Sequence, residues 1–401
     1  MEKQVVNASL IKDYCLEKKW AFYEYSKPET LHFLTKNLKK PNQLQVVAYG
    51  QSHVYLACMH NVAVFAGRFV RSEADGNIFL HGLTHNNTPT NLFNRLEQGN
   101  SLSVGQNNIA QIKVGEPNKS YDEAVLISGS PNFGHWMVEH VLRLAILELH
   151  PHLKKLKLLI TNDTPKRFLG FLSLLGFKED QFCLINHSDV VTVSRLWVPS
   201  VPYYMGHYSD KKMYISPDTI HLLRYAFLQE RSLLSTQHAS KKSRIYVSRK
   251  QAKWRRLVNE DAVVEVLKKY GFQTVYMEEL SPQEQIDLIS QVEILVMPIG
   301  GSSMVSIFAP KNAIIIEFTY KGFHYDPFTA VDFCRALGQP YHKIIGEPVS
   351  LPEERKGTVT EKFDYDFKIS LNDLSEILQK VEQMTNSVLS FSQELHDKLF
   401  R

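Results

Sequence analysis

The chain has 401 residues, a formal net charge of +4, a hydrophobic fraction of 44% and a charged fraction of 22%. This length suggests two domains, and the composition is that of an ordinary globular protein. The small net charge and the scattered cations argue against a nucleic-acid partner. No window approaches the roughly 18 apolar residues of a membrane span, and the N-terminus has no apolar signal core, so a cytoplasmic protein is expected.

The first half of the chain changes its pattern near residue 115. Residues 44–115 alternate apolar and polar residues between Gly, Asn and Asp, which predicts antiparallel strands and hairpins. Apolar strands at 125–127 and 156–160 then alternate with helical patterns, which predicts a parallel sheet. An amphipathic helix is predicted over 217–237, followed by polar residues.

The second half repeats this α/β pattern with clear start and stop signals. A strand is predicted over 244–248, and Asn259 is expected to cap a helix that stops at Gly271. Residues 281–284 form a capping box with proline at the first helical position. A strand over 294–297 leads into a glycine-rich turn.

We therefore divide the chain into three parts. An N-terminal domain over 1–238 contains a β-rich region and an α/β region. Residues 239–346 form a doubly wound C-terminal domain, and 347–401 form a loop followed by terminal helices. Four widely separated cysteines predict reduced thiols rather than a disulfide framework, and no metal site is expected.

The glycine-rich turn is a candidate phosphate site. Gly300, Gly301 and Ser302 follow an apolar run and open a helical segment, where backbone N–H groups can bind phosphate. Glu317, at the predicted end of the next strand, is placed to hold a ribose. The turn matches neither the dinucleotide fingerprint nor a triphosphate loop, and the alternative is an ordinary tight turn.

A cationic loop is the second candidate. It contains Arg249, Arg255 and Arg256, and it follows the first strand of the C-terminal domain. Arginine suits a diphosphate because its planar fork bonds two phosphate oxygens at once. The alternative is a solvated run of charges. The loop and the glycine turn are predicted to leave the same edge of one sheet.

A helix start supplies the candidate base. Asn132 opens a predicted helix on which His135, Glu139 and Arg143 are four residues apart and share one face. An imidazole backed by a carboxylate can act as a general base. The alternative is a capped histidine beside a Glu139–Arg143 ion pair. The order H-x-x-x-E-H matches no common zinc motif.

Two weaker candidates complete the set. His324 and Asp326 follow Glu317 closely and are placed to reach the same cleft, although Asp before Pro is a common turn former. Tyr203, Tyr204 and Tyr208 predict either a sugar-stacking platform or a partly buried surface.

Several short motifs in a fixed order resemble glycosyltransferase family 61. They are Asn132–Glu139, Ser248-Arg249, Arg255–Glu260, Gly300–Ser302 and a strand ending in Glu317. The resemblance covers roughly residues 120–340. The chain departs from many members at the glycine turn, where it has Ile299-Gly-Gly-Ser302.

The resemblance implies a GT-B fold with two Rossmann-like domains facing across a cleft. The C-terminal domain would bind a nucleotide-sugar, with a UDP-sugar as first choice, and no cofactor or metal would be needed. The N-terminal domain would contact a glycan or lipid-linked acceptor and supply the base, Glu139 or else His135. Acceptor or cleft contacts are assigned to Asn132, Arg143, His324 and Asp326.

The resemblance further implies inversion at the anomeric carbon. It points to a bacterial enzyme of capsule, lipopolysaccharide or exopolysaccharide assembly, with room for peripheral membrane association. The terminal helices are expected to pack back on the N-terminal domain. The alternative function is an inactive nucleotide- or phosphate-binding protein of the same fold.

Overall fold

A computed structural model describes most of the chain. The described residues are 5–6, 9–27, 29–37, 40–65, 67, 69–73, 78–80, 102–104, 110–112, 115–205, 213–232, 243–323, 330–349 and 365–383. The chain forms two compact units. Unit 1 comprises Met1–His32, Ala48–Ala239 and Ser281–Glu284; unit 2 comprises Phe33–Val47, Ser240–Leu280 and Gln285–Arg401.

The strands in chain order are β1 (Val5–Val6), β2 (Phe22–Ser26), β3 (Glu29–Asn37), β4 (Lys40–Gln51), β5 (Val54–Phe65), β6 (Phe69–Ser72), β7 (Ile78–Leu80), β8 (Leu102–Val104), β9 (Ala110–Ile112), β10 (Lys119–Leu126), β11 (Lys157–Thr161), β12 (Phe182–Ile185), β13 (Val190–Pro199), β14 (Tyr203–Met205), β15 (Met213–Ile215), β16 (Ser243–Val247), β17 (Gln273–Val275), β18 (Val292–Pro298), β19 (Ile314–Tyr320), β20 (Tyr341–Val349) and β21 (Asp366–Lys368).

The helices are α1 (Ser9–Glu17), α2 (133–149), α3 (Lys166–Leu174), α4 (Pro217–Ser232), α5 (Glu260–Lys269), α6 (Pro282–Ile289), α7 (Gly301–Phe308), α8 (Val331–Leu337) and α9 (371–383). Short helical turns lie at Pro151–Lys155, Glu179–Gln181 and Met277–Glu279. No helix in the described part of the chain is long and apolar enough to cross a membrane.

Unit 1 is built on one mixed sheet in the order β1-β7-β6-β5-β13-β10-β11-β12, with β2 also paired to β5. The pairs β13–β10, β10–β11 and β11–β12 are parallel, whereas β5 pairs antiparallel with β2, β6 and β13. Both predicted patterns are therefore present, joined in a single sheet. The strand order reverses at β10, and α2 follows β10 at that point.

Apolar residues on one face of this sheet form the core of unit 1. Val64 of β5, Leu126 of β10, Leu159 of β11 and Val193 of β13 are all at most 1% exposed and lie in one cluster. The start of β10 alternates half-buried and exposed residues over Lys119–Asp122, and its last three residues are buried. The cluster fixes the sheet edge from which α2 starts.

Unit 2 contains a parallel sheet in the order β17-β16-β18-β19-β20. Helices α5, α6, α7 and α8 connect successive strands, which confirms the predicted alternation of strands and helices. The chain places β17 on one side of β16 and the later strands on the other. The switch point of this fold therefore lies between β16 and β18, where open α/β sheets bind ligands.

The terminal helix α9 belongs to unit 2, contrary to the prediction that it packs on the N-terminal domain. Leu374, Ile377, Leu378 and Val381 recur at helical spacing, are at most 4% exposed and join the unit 2 core. The strand β21 just before α9 pairs antiparallel with β20. The apolar stripe of α9 is thus buried against the sheet it follows.

Candidate functional site

Two loops meet at the switch point of unit 2. Strands β16 and β18 are parallel neighbours, with Ile245 opposite Leu295. The cationic loop follows β16, and the glycine turn follows β18. Because parallel neighbours end at the same sheet edge, the two loops leave side by side, as the sequence predicted.

Arg249 and Gly300 are in direct contact. A Cβ atom built on Gly300 would lie 2.1 Å from Nη1 of Arg249 and 2.4 Å from its Cζ. A side chain at position 300 would therefore require the guanidinium of Arg249 to move. Nη2 of Arg249 donates to the carbonyl oxygen of Trp254 at 2.9 Å, which folds the cationic loop over its own first residue.

This contact leaves buried polar atoms without partners. Within the described ranges, Nε of Arg249 and Oγ of Ser302 are buried and accept or donate no hydrogen bond. Burial and the neighbouring Arg255 together lower the pKa of Arg249 to about 10, and Glu278 opposes them. Arg249 still carries a charge at neutral pH. A guanidinium whose buried Nε makes no hydrogen bond, together with a buried hydroxyl that also makes none, fits an anionic ligand.

Arg256 has a different role from the one predicted. Its Nε and Nη2 donate to Oδ2 of Asp366 at 3.0 and 2.8 Å, and its backbone N–H donates to Oδ1 at 2.9 Å. The Asp366 side chain is 4% exposed. The fork of Arg256 is therefore already used to anchor β21, so we withdraw Arg256 as a diphosphate ligand. Arg255 adopts a left-handed backbone conformation with φ of 57°.

Glu317 is also placed differently from the prediction. It lies in the middle of β19, which continues to Tyr320, and it has no exposed surface. Oε1 accepts from the N–H of Ala330 at 3.1 Å, and Oε2 accepts from the hydroxyl of Tyr341 at 2.8 Å. Burial raises the pKa of Glu317 to about 7. Its carboxylate braces the turn into α8, so we do not retain it as a ribose ligand.

The predicted dyad of unit 1 is formed at the start of α2. Nδ1 of His135 lies 2.5 Å from Oε1 of Glu139, and both side chains are about one-third exposed, at 29% and 33%. Asn132 caps the helix, because its Oδ1 accepts from the N–H groups of Gly134 and His135. Asn132 thus positions His135, whereas the sequence analysis predicted that Asn132 contacts the glycan acceptor.

Glu139 lies in a widened turn of this helix. Trp136–Val141 has π-type hydrogen bonding, a feature frequent at functional sites. Arg143 is 1% exposed, and its Nε donates to the backbone oxygen of Glu139 at 2.5 Å. The buried Arg143 therefore supports the main chain under Glu139 and does not reach an acceptor, contrary to the prediction.

The remaining predicted residues lie outside the described ranges or in the core of unit 1. His324 and Asp326 lie outside the described residues, as do Tyr208 and the side chain of Tyr204. Tyr203 is 2% exposed and belongs to the core, so it cannot stack on a sugar. No group of three or more His, Cys, Asp or Glu residues that could hold a metal occurs in the part of the chain that the structure describes.

Sequence reasoning missed Asp366 and Tyr341, which occupy Arg256 and Glu317. Both partners are distant in the chain, 110 and 24 residues away. Asp366, which lies between Tyr365 and Phe367, gives no local signal for such an ion pair. The pairing of β20 with both β19 and β21 brings these residues to the sheet.

Comparison with known proteins shows a match to one family model over part of the chain. The model of the family described as Glycosyltransferase 61 matches residues 133–316, a range that contains both the His135–Glu139 dyad and the Arg249–Gly300 contact. Of the solved structures, the iron-containing dodecameric glycosyltransferase TibC from enterotoxigenic E. coli H10407 is 10% identical over 74% of this chain and 76% of that chain. The TM-score of this comparison is 0.25.

One curated relative shares a shorter stretch. Protein ACTIVITY OF BC1 COMPLEX KINASE 8, chloroplastic, from Arabidopsis thaliana is 30% identical over 115 residues. The match covers 28% of this chain and 14% of the length of that relative.

Proposed function

We propose that this chain, whose residues 133–316 match the model of glycosyltransferase family 61, is a glycosyltransferase that takes its sugar from a nucleotide diphosphate donor and inverts the anomeric carbon. The observation that carries the proposal is the contact of Arg249 with Gly300 at the unit 2 switch point. It supplies a fixed cation where a doubly wound sheet binds its ligand.

The donor diphosphate is assigned to unit 2. The guanidinium of Arg249, the hydroxyl of Ser302 and the N–H groups at the start of α7 offer hydrogen-bond donors, whereas the N–H of Gly300 is bonded to Oγ of Ser303. A departing diphosphate accumulates negative charge, and fixed donors in a poorly solvated place stabilise it best. Arg255, close enough to lower the pKa of Arg249, adds a second positive charge.

The base is assigned to unit 1, with His135 preferred over Glu139. The contact of Nδ1 with Glu139 favours the tautomer that carries its proton on Nδ1. Nε2 of that tautomer holds the lone pair, so it is the atom that takes up a proton. This reverses the slight sequence-based preference for Glu139, which becomes the residue that orients the imidazole and stabilises its charged form.

The reaction then balances as a single displacement. An acceptor hydroxyl oxygen forms a bond to the anomeric carbon, and its proton passes to Nε2 of His135. The bond from that carbon to the diphosphate oxygen breaks, and the electron pair leaves with the nucleoside diphosphate. Arg249 and the glycine turn neutralise the charge that develops.

The setting remains part of the proposal. The resemblance supports a GT-B arrangement, a UDP-sugar donor, independence of metal and a glycan or lipid-linked acceptor. It also supports work in the bacterial cytoplasm, at the inner face of the membrane, in surface polysaccharide synthesis. None of these assignments depends on the others.

Thermal stabilisation by nucleotides tests the donor site. A ligand that binds only the folded protein raises the melting temperature. We expect UDP to stabilise the wild type more than uridine does, and Arg249→Gln to remove most of this difference. Loss of a charged hydrogen bond costs roughly 1.5–3 kcal/mol, about a tenfold or greater loss of affinity. Lys268→Gln, an exposed cation of unit 2, is the control. Equal UDP stabilisation of the wild type and Arg249→Gln refutes the assignment.

Turnover separates the enzyme from an inactive binding protein. Glu139→Gln keeps the size of the side chain and removes the charge that supports a protonated His135. We expect turnover to fall by about two orders of magnitude or more while UDP stabilisation stays unchanged. Glu179→Gln, exposed in the same unit, should keep full turnover. Unchanged turnover in Glu139→Gln would place the base elsewhere.

A further inference from the structure

A cluster of aromatic rings lies on unit 1, away from the His135–Glu139 dyad. It consists of Tyr23 and Tyr25 of β2, Trp197 of β13, and His150 and His152 after α2, and we call it the ring patch. The Tyr23 ring lies 4.9 Å from that of His150 and 6.4 Å from that of Trp197, at 22° in the latter case. His152 lies 5.9 Å from His150 and 6.5 Å from Trp197.

The two tyrosines of the ring patch are open to solvent, whereas Trp197 is 8% exposed. Tyr23 is 42% exposed and Tyr25 is 38% exposed, because they alternate along β2 with residues turned to the other face. The hydroxyl of Tyr25 is hydrogen bonded to Nε2 of His150. Leu149, which ends α2 next to the patch, is 50% exposed. Single exposed rings are common on protein surfaces, whereas a group of exposed rings in mutual contact indicates a binding site.

The ring patch is also neutral. Burial lowers the pKa of His150, and the neighbouring His152 lowers it further, so His150 is uncharged at neutral pH. Trp197 donates its indole N–H to Glu123, whose carboxylate also pairs with Arg195. The nearby carboxylate is thus neutralised beside the rings. Hydroxyl and imidazole groups at the ring edges remain as polar contacts.

We propose that the ring patch binds a neutral segment of the glycan acceptor, remote from the hydroxyl that reacts. This inference rests on the proposed function, because it assumes a glycan acceptor for unit 1. Sugar rings present C–H faces that stack on flat aromatic faces, and hydroxyl groups that bond to polar ring edges.

Other occupants fit less well. A phosphate backbone needs cations, and the ring patch contains none. A protein interface needs on the order of 800 Å² on each partner, with aliphatic residues among the aromatic ones. Beside the ring patch, Leu149 is an exposed aliphatic residue. A stable interface with a second copy of the chain is therefore the alternative outcome of the test.

The position of the ring patch sets the length of the acceptor. His135 starts α2 and His150 follows its end, so the dyad and the patch are roughly 20 Å apart along the helix. Only an acceptor of several sugar units can occupy both. Binding energy from such a remote part of the substrate raises the rate at which long acceptors react.

Calorimetric titration with neutral hexasaccharides tests the proposal without any donor. The probes are cellohexaose, xylohexaose, maltohexaose and chitohexaose, which differ in hydroxyl pattern but share stackable faces. We expect at least one to bind the wild type, and Tyr23→Ala and Tyr25→Ala to weaken it about tenfold. Tyr225→Ala is the matched control, because Tyr225 is 63% exposed and lies on α4, outside the ring patch.

Three results would overturn the proposal. They are the failure of all four hexasaccharides to bind, equal binding by Tyr23→Ala and the wild type, and equal loss in Tyr225→Ala. Sedimentation supplies a further check, since a dimer that Tyr23→Ala dissociates would make the patch an interface between copies. If UDP stabilises the protein while no hexasaccharide binds, the ring patch fails and the proposed function stands.

Discussion

Glu317 shows how a single buried carboxyl group couples the fold to pH. Its pKa is raised by burial from 4.5 to about 7. Well below pH 4.5 the group is protonated in both the folded and the unfolded chain, so the free energy of unfolding does not depend on pH through this group. Between pH 4.5 and 7 the unfolded chain loses this proton first, so the free energy of unfolding falls as pH rises.

Glu317→Gln should remove this dependence. The amide can accept from the N–H of Ala330 and donate to the oxygen of Tyr341, so the local bonds survive. We expect the stability of the variant relative to the wild type to rise by roughly 3 kcal/mol from pH 4.5 to pH 7 and then to level off. Urea unfolding at several pH values measures it.

An exposed glutamate of the same unit provides the control. Glu265 lies on α5 with its side chain 69% exposed, so Glu265→Gln should not change the pH profile of unfolding. A constant difference between Glu317→Gln and the wild type across this pH range would contradict the prediction. It would mean that Glu317 is ionised at the same pH in both states.

Residues whose partners are close in sequence were predicted well. The contact of His135 with Glu139 follows from a four-residue spacing on a helix. Ser281 and Glu284 form the predicted capping box, because the side chain of each accepts a hydrogen bond from the backbone N–H of the other. Arg256 and Glu317 were assigned wrongly because their partners come from distant strands, which local spacing cannot indicate.

At the scale of elements, β21 is held by the loop that precedes α5. Asp366 binds Arg256, and the side chain of Asn259 bonds both backbone groups of Ile369. Two backbone hydrogen bonds complete the attachment: the N–H of Val258 donates to the carbonyl oxygen of Phe367, and the N–H of Phe367 donates to the carbonyl oxygen of Arg256. Asn259 precedes α5 as predicted, yet its side chain bonds β21's neighbour instead of capping the helix. Local propensity therefore predicts where the helix starts, whereas a tertiary contact determines the partner of the Asn259 side chain.

Asp366→Asn tests this attachment. The change weakens the charged bonds to Arg256 without changing the shape of the residue, and Arg256 is 43% exposed, so solvent reduces the effect. We expect a loss of roughly 1–2 kcal/mol in the free energy of unfolding. UDP stabilisation should persist, because Arg249 provides the donor contact.

The exposed pair Lys250–Asp261 in the same region gives the matched control. Asp261→Asn should leave stability nearly unchanged, since exposed ion pairs contribute little. If Asp366→Asn abolished UDP stabilisation at full stability, Arg256 would have to be restored as a diphosphate ligand.

At the scale of the whole molecule, the sequence indicated two α/β units but not which segments complete them. The division between Ala239 and Ser240 lies beside the predicted boundary at 238. Phe33–Val47 joins unit 2, where Asn37 pairs with Tyr341. A strand edge accepts any extended segment with suitable side chains, so periodicity alone cannot assign its partner. The ring patch was not predicted for the same reason, because its residues come from three segments that are distant in the sequence.

The placement of α9 in unit 2 gives a prediction for the whole chain. Leu378 is 1% exposed and packs in the unit 2 core, so Leu378→Ala should lower stability by about 2–5 kcal/mol. Hydrogen exchange should accelerate in β16, β18 and β19, while β10 and β13 keep their protection. Leu196→Ala, a change in the unit 1 core, should give the reverse pattern. Faster exchange in β10 after Leu378→Ala would show that α9 stabilises unit 1, as the sequence alone had suggested.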